Sequence, residues 1–110
     1  DKKEKFIVYG NKFKTIDGYA IRDYLHVLDI CDAINLGVNW LKNNKGCQTI
    51  NLGSGAPTSV LQVIKSFEHY FDIIVDFKIE NSRRGEPDFL LSNIKKVDTL
   101  LKWTPKRSNM

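Results

Sequence analysis

Two arginine sites and one glycine-rich turn carry most of the chemistry this sequence can offer. Arg22 sits within residues 19–27, where apolar Ile21, Leu25 and Val27 fall at strand spacing. A cation inside such a run is costly to bury unless something anionic meets it. Arg83-Arg84 precedes Gly85, where a turn can bring guanidinium groups toward a ligand. One guanidinium fork matches two phosphate oxygens, so arginines from distant segments make a natural pyrophosphate clamp. A plainer reading pairs Arg22 with Asp23 or Asp29 and leaves Arg83 and Arg84 in solvent. Gly53-Ser54-Gly55 stands between an apolar run and a capped helix, a setting in which backbone amides cradle phosphate. A simple tight loop fits it equally well. It is not a dinucleotide fingerprint, because no G-x-G-x-x-G follows any strand. His26 reads as a hydrogen-bonded structural histidine and His69 as a surface residue. No serine or cysteine occupies a nucleophile elbow. Cys31 and Cys47 show neither a CxxC pair nor metal spacing, which suits reduced thiols that serve as small core or surface residues.

The elements that must position these residues follow from periodicity. Phe6-Ile7-Val8-Tyr9, closed by Gly10-Asn11, reads as a buried strand ending in a turn. Asp17-Gly18 is a hairpin-type turn signal ahead of a half-buried strand over residues 19–27. Asp29 is expected to cap a helix over roughly 29–43, with Ile30, Ala33, Ile34, Gly37, Val38 and Leu41 on its apolar side and Gly46 as its stop. Residues 48–52 read as a strand whose partner strands are missing from this chain. Thr58 or Ser59 caps the next helix, which carries Val60, Leu61, Val63, Ile64, Phe67 and Phe71. Residues 73–79 alternate as another strand, and 80–88 form a polar loop. Asn93 is expected to cap a last helix that buries Ile94, Val97, Leu100 and Leu101 before Trp103-Thr104-Pro105 stops it. Alternation of this kind specifies an α/β fold, here an incomplete one.

Bulk properties narrow the classes. The chain has 110 residues, 42% of them apolar, so a packed core is within reach. No stretch approaches the ~20 apolar residues of a membrane-spanning helix, and the charged start Asp1-Lys2-Lys3-Glu4-Lys5 has no secretory h-region behind it. The formal net charge of +4 favours anionic partners, a nucleotide pyrophosphate or a nucleic acid. The lysines are scattered, however, without the arginine-rich run or aromatic interleaving of a nucleic-acid binder. The chain opens at Asp1 and its single methionine is Met110, so an excerpt of a longer polypeptide is expected.

Tyr9-Gly10-Asn11, Thr15-Ile16-Asp17-Gly18 and the run Ile21-Arg22-Asp23-Tyr24-Leu25-His26-Val27-Leu28-Asp29 together resemble the signature of the UDP-glucose 4-epimerase family. Asn51-Leu52-Gly53-Ser54-Gly55 with Ser59-Val60, then Arg83-Arg84-Gly85-Glu86-Pro87, then Leu101-Lys102-Trp103-Thr104-Pro105 are similar to its later landmarks, in the same order. The resemblance implies an extended short-chain dehydrogenase fold: a Rossmann domain holding NAD, and a smaller C-terminal domain holding a UDP-sugar. Residues 1–110 would then be the C-terminal UDP-sugar-binding portion, comprising the last Rossmann strand and helices and most of the substrate domain. The N-terminal NAD-binding part would be absent.

Carried over by the same resemblance, Phe6 and Tyr9 lie by the uracil, and Arg22 and Arg83 grip the pyrophosphate. Tyr24 is close to the nucleotide, Val60 lines its pocket, and Glu86 holds a ribose hydroxyl. Tyr9 stands where phenylalanine is common and Glu86 where aspartate is usual. Arg84 is the alternative to Arg83 within the adjacent register. The family's Tyr-x-x-x-Lys pair is missing, since Phe13, Asp23, Leu28 and Ile74 follow the four tyrosines at that spacing. The chain alone is therefore expected to bind UDP-sugar, to hold no NAD and no metal, and to be inactive. Its longer parent is expected to be a cytoplasmic, homodimeric, NAD-dependent isomerase of galactose metabolism, with no nucleic-acid or membrane partner. Two alternatives stay open: a non-catalytic nucleotide-sugar-binding remnant of a split or truncated gene, and a related nucleotide-sugar epimerase.

Overall fold

In the computed structural model, which describes residues 5–108, the chain divides after Arg22, Ala56 and Leu90 into two units. Asp1-Lys2-Lys3-Glu4 and Met110, on which the expectations about the chain ends rest, lie outside the described residues.

The first unit contains residues 5–22 and Pro57–Leu90. Strand β1 (Phe6–Tyr9) runs parallel to a strand over Phe77–Glu80, pairing Phe6 with Phe77 and Tyr9 with Glu80. The ladder continues past Tyr9, where the Gly10 amide donates to Glu80 at 2.8 Å. Strand β2 (Ile21–Asp23) is only three residues long and pairs with β3 (Pro57–Ser59). This is much shorter than the strand expected over 19–27. Ile21 also bridges Phe89 in parallel, donating to Asp88 and accepting from Leu90.

Helix α1 (Val27–Asn43) belongs to the second unit. Within the first, Ser59 starts helix α2 (Val60–Phe71) with a capping box: its hydroxyl accepts from the Gln62 amide, and the Gln62 side chain accepts from the Ser59 amide. The Ser59 hydroxyl also donates to the Asp17 carboxylate, which ties the Asp17-Gly18 turn to the helix start. Val8, Ala20 and Ile64 form the buried apolar positions here, while Phe67 and Phe71 stay half-exposed. The strand expected over 73–79 is displaced to β4 (Phe77–Glu80). Residues 73–75 instead finish the helix, with the Ile73 and Val75 amides donating to Glu68.

The second unit contains Asp23–Ala56 and residues 91–108. Helix α1 (Val27–Asn43) is capped by His26, whose Nδ1 accepts from the Leu28 amide at 3.1 Å. Asp29, the expected cap, is instead a buried residue of the first turn. The helix ends at Asn43 with Asn44 as its extended cap, before Gly46 is reached. Its core contribution is Ala33, packed with Val97 and Trp103 and flanked by Leu25, Ile50 and Leu52. Ile34, Val38 and Leu41, expected on a buried side, are each more than half exposed. Residues 48–52 form no strand: the carbonyls of Thr49 and Leu52 accept from Lys96 Nζ and Ser92 Oγ rather than from a neighbouring backbone. Without a second backbone alongside, an apolar run cannot make a ladder. Helix α3 (Lys95–Leu101) is capped by Ile94, which makes no side-chain cap bond; Asn93, the expected cap, stands one residue earlier, its Oδ1 accepting from the Lys95 amide at 3.0 Å. Lys102 closes it in the left-handed region.

Candidate functional site

The first unit carries an open cleft of about 880 Å³, walled by residues 10–13 and 79–86 together with Asp88. One wall is the turn that closes β1; the other begins where β4 ends. The register that pairs Tyr9 with Glu80 brings the two walls together.

Arg83-Arg84-Gly85-Glu86 is a tight turn. The Glu86 amide donates to the Arg83 carbonyl at 3.2 Å and Gly85 has φ +79°. A positive φ at the third residue is the mark of a type II turn and selects glycine. Such a turn leaves the side chains of its first and fourth residues, Arg83 and Glu86, flanking one mouth. Arg83 lies over the Tyr9 ring, with its guanidinium carbon 4.2 Å from the centroid. This cation–π contact holds the guanidinium over the aromatic face.

Arg22 meets Glu86. Its Nη2 donates to Glu86 Oε1 at 2.9 Å, and its Nη1 donates to the carbonyls of Ile21 (2.7 Å) and Pro87 (2.9 Å). The Ile21–Phe89 bridge explains the meeting, because it lays the chain after the turn beside β2. The other Glu86 oxygen, Oε2, is buried and has no hydrogen-bond partner among the described residues.

The charge balance of the cleft is cationic. Glu80 is engaged by Lys78 at 2.7 Å and Glu86 by Arg22, while Lys12, Arg83 and Arg84, against Asp88, form no ion pair among the described residues. Lys12 was not singled out from sequence. The signal for it is its place just after the Gly10-Asn11 turn, which becomes informative only once the β1–β4 register is known.

The structure therefore brings Tyr9 to Arg83 and Arg22 to Glu86. Phe6 stands at the other end of β1, about 10 Å from Tyr9 at the usual rise and on the opposite face of the strand. It is half-exposed. Val60, half-buried, opens α2 with its amide donating to the Ala20 carbonyl at 3.1 Å. Tyr24 belongs to the second unit.

Neither acid proposed for the plainer reading pairs with Arg22, because the second unit uses both. Asp23 Oδ1 accepts from the amide and hydroxyl of Ser54, each at 2.6 Å, and Oδ2 accepts from the amides of Gly55 (3.3 Å) and Ser92 (3.0 Å). The Gly53-Ser54-Gly55 turn is thus an anion nest, and its anion is the protein's own carboxylate. A Cβ on Gly53 would fall inside contact distance of that carboxylate and of Ser92. Burial alone would raise the Asp23 pKa, but the hydrogen bonds from Ser54, Ser92 and Gly55 outweigh it and hold it below the usual value. Asp29 accepts from the amides of Lys106 (3.1 Å) and Arg107 (2.9 Å) and from the Ser108 hydroxyl (2.6 Å), with Arg107 Nη1 at 3.2 Å. Burial opposes ionisation here too, yet these donors lower its pKa to about 2.

No family model matches the chain. The UDP-glucose 4-epimerase of Mycoplasma pneumoniae is 39% identical over 109 residues, covering 96% of this chain and 32% of the relative. That of Mycoplasma genitalium is 39% identical over 99 residues, covering 87% and 29%. Among solved structures, the enzyme from Stenotrophomonas maltophila with bound NAD and formylated UDP-arabinopyranose superposes with a TM-score of 0.89 at 31% identity. It is covered over 94% of this chain and 31% of its own. The enzyme from Bifidobacterium longum in complex with NAD+ and UDP gives 0.87 at 29% identity, with coverage of 94% and 30%. The chain spans about a third of the length of the relatives it matches. By sequence and by fold, it belongs with the UDP-glucose 4-epimerases, as a homologue of their C-terminal portion and a partial α/β piece of the extended short-chain dehydrogenase architecture.

Proposed function

We propose that the cleft of the first unit binds the nucleoside diphosphate of a UDP-sugar. On this reading, residues 1–110 are the UDP-sugar-binding portion of a UDP-glucose 4-epimerase, which interconverts UDP-glucose and UDP-galactose in galactose metabolism. The observation that carries the proposal is the pairing of an aromatic–guanidinium stack, Tyr9 with Arg83, and a buried acceptor lacking a donor, Glu86 Oε2, on one turn. A base stacks on the first, an anionic oxygen meets the freed edge of the guanidinium, and a ribose hydroxyl supplies the donor that Oε2 lacks. Lys12 and Arg84 add positive charge at the mouth. Val60 is assigned a supporting contact to the nucleotide on the family resemblance; Phe6, on the opposite face of β1 from Tyr9, and Tyr24, in the second unit, are given no part in this cleft.

The residues present do not fit NAD. The amides of Ser54 and Gly55, in the turn whose setting by sequence suits a phosphate, are already donated to Asp23. No tyrosine has a lysine four residues on. No hydride step is assigned to this chain. These same two observations favour a second reading, a nucleotide-sugar binder that does not itself catalyse.

Titrating UDP calorimetrically into the protein tests the proposal. Arg83→Ala should weaken binding by about 10- to 100-fold, the loss expected for a hydrogen bond to a charged group. Equal affinity in wild type and variant would sink the assignment of Arg83. Absence of UDP binding to the wild type would sink the cleft as a nucleotide site.

A further inference from the structure

Helix α1 starts on a histidine, although Asn, Asp, Ser and Thr lead at that position and none of these changes its charge appreciably between pH 7.5 and 5. His26 Nδ1 accepts from the Leu28 amide at 3.1 Å, and the His26 carbonyl accepts from the amides of Asp29 (3.0 Å) and Ile30 (3.2 Å). Nδ1 can accept only while it carries no proton, so the neutral ring holds its hydrogen on Nε2. The residue is exposed, and a proton from solvent can reach the ring. The His26 amide belongs to a second set of bonds. It donates to Ser108 Oγ at 3.0 Å, and that hydroxyl donates to Asp29 Oδ2 at 2.6 Å, beside the amides of Lys106 and Arg107. The first turn of α1 and residues 106–108 therefore share one network, joined across 77 to 82 residues of sequence.

We propose that His26 is a pH-sensitive latch: a proton gained on Nδ1 frees the Leu28 amide and loosens the first turn of α1 together with residues 106–108. Protonation turns the cap from acceptor to donor, so that Nδ1–H faces the Leu28 N–H. It also sets a positive ring at the positive end of the helix macrodipole. The charged groups about the helix start are Asp29 and Asp32 on α1, and Lys106 and Arg107 on the segment bonded to it. Asp29 already accepts from two amides, the Ser108 hydroxyl and Arg107 Nη1, and Asp32 accepts from Arg107 Nη1 at 2.8 Å. Asp23, three residues earlier, is spent on the Ser54 turn. Each acid is committed elsewhere, and none replaces the bond that the ring gives up.

Amide exchange on the full chain, expressed as protection factors from pH 7.5 to pH 5, tests this. Histidine is the side chain whose charge ordinarily changes in that range. The amides of Leu28, Asp29 and Ile30 should lose protection by about five- to thirtyfold as pH falls, and those of Lys106 and Arg107 should fall in step. The first turn of α2, capped by Ser59, should hold its protection throughout. Asp29, with a pKa of about 2, stays ionised over the whole window and cannot cause the loss. His26→Asn, which caps without titrating, should keep the same amides protected and flatten the profile. Nitrogen-15 spectra of the imidazole should find Nδ1 unprotonated at pH 7.5. A wild-type profile as flat as that of α2 would overturn the proposal, as would an asparagine variant that keeps the loss or an Nδ1 that carries the proton at pH 7.5. Loss at residues 28–30 with residues 106 and 107 unmoved would overturn it too, because the cap would then act alone.

Discussion

Removing the Asp23 carboxylate should unfold the second unit far more readily than it perturbs ligand binding. Four donors converge on it: the amides of Ser54, Gly55 and Ser92 and the Ser54 hydroxyl. With a net worth of about 1 kcal/mol per hydrogen bond, Asp23→Ala forfeits about 4 kcal/mol if the amides stay dry. Asp23 is half-buried, so water re-solvates part of the nest and the expected loss is about 2–4 kcal/mol. With a urea slope of about 1.5 kcal/mol per molar, the midpoint should fall by about 1.3–2.7 M. Asp23→Asn is the sharper variant. Its amide keeps the shape but places an NH2 against either the Ser54 pair or the Gly55 and Ser92 amides, so it should cost nearly as much as alanine. Urea unfolding followed by tryptophan fluorescence suits the measurement, because Trp103 lies in the core of the same unit. If Asp23→Asn unfolds within about 0.5 kcal/mol of wild type, the scale of an ordinary surface substitution, the nest is not what holds this turn. If instead it leaves the midpoint alone and abolishes UDP binding, Asp23 belongs to the ligand.

Two further outcomes follow from the caps and the buried acid. Asp29 has a folded pKa of about 2 against 3.8 for the free side chain, so its contribution is complete above about pH 3.8 and is lost as pH falls toward 2. Urea midpoints measured from pH 5 to pH 2 should drop across that window in the wild type and run flatter in Asp29→Asn; parallel profiles would contradict the assignment. Ser59→Ala removes both the capping bond to Gln62 and the contact to Asp17, and should destabilise by about 1–2 kcal/mol by thermal melting, with Ser59→Thr restoring most of it.

Local signals in the sequence are informative where a residue acts on its own neighbours. The Ser59 cap and the Phe6–Tyr9 strand lie where composition places them, whereas Asn93 falls one residue ahead of the Ile94 cap. Element ends are missed locally, as where β4 begins at Phe77 rather than residue 73, but the failures at the site are long-range. Asp29 looks like a cap because it is an acid at a helix start, yet residues 77 to 79 positions away claim its carboxylate, and His26 caps instead. Gly53-Ser54-Gly55 looks like a phosphate loop because small residues free their amides, and nothing local shows that Asp23 will take them. Arg22 looks for an anion, as expected, but finds Glu86 rather than Asp23 or Asp29. At the cleft, Gly85 announces the turn, whereas the stacking of Arg83 on Tyr9 needs the β1–β4 register.

The bonds that close the second unit also set a clock on its synthesis. Trp103 Nε1 donates to the Asp29 carbonyl, and the amides of Lys106 and Arg107 take the Asp29 side chain, across separations of 74 to 78 residues. None of these partners exists when helix α1 leaves the ribosome. At translation rates of about 5–20 residues per second, α1 waits about 4–16 s for them. For all that time Ile34, Val38 and Leu41 face solvent together with Ala33 and Leu25, which the finished unit will cover. Nascent chains stalled between residues 60 and 100 should therefore engage hydrophobic-segment chaperones, and release them once the segment around Ser108 has been made.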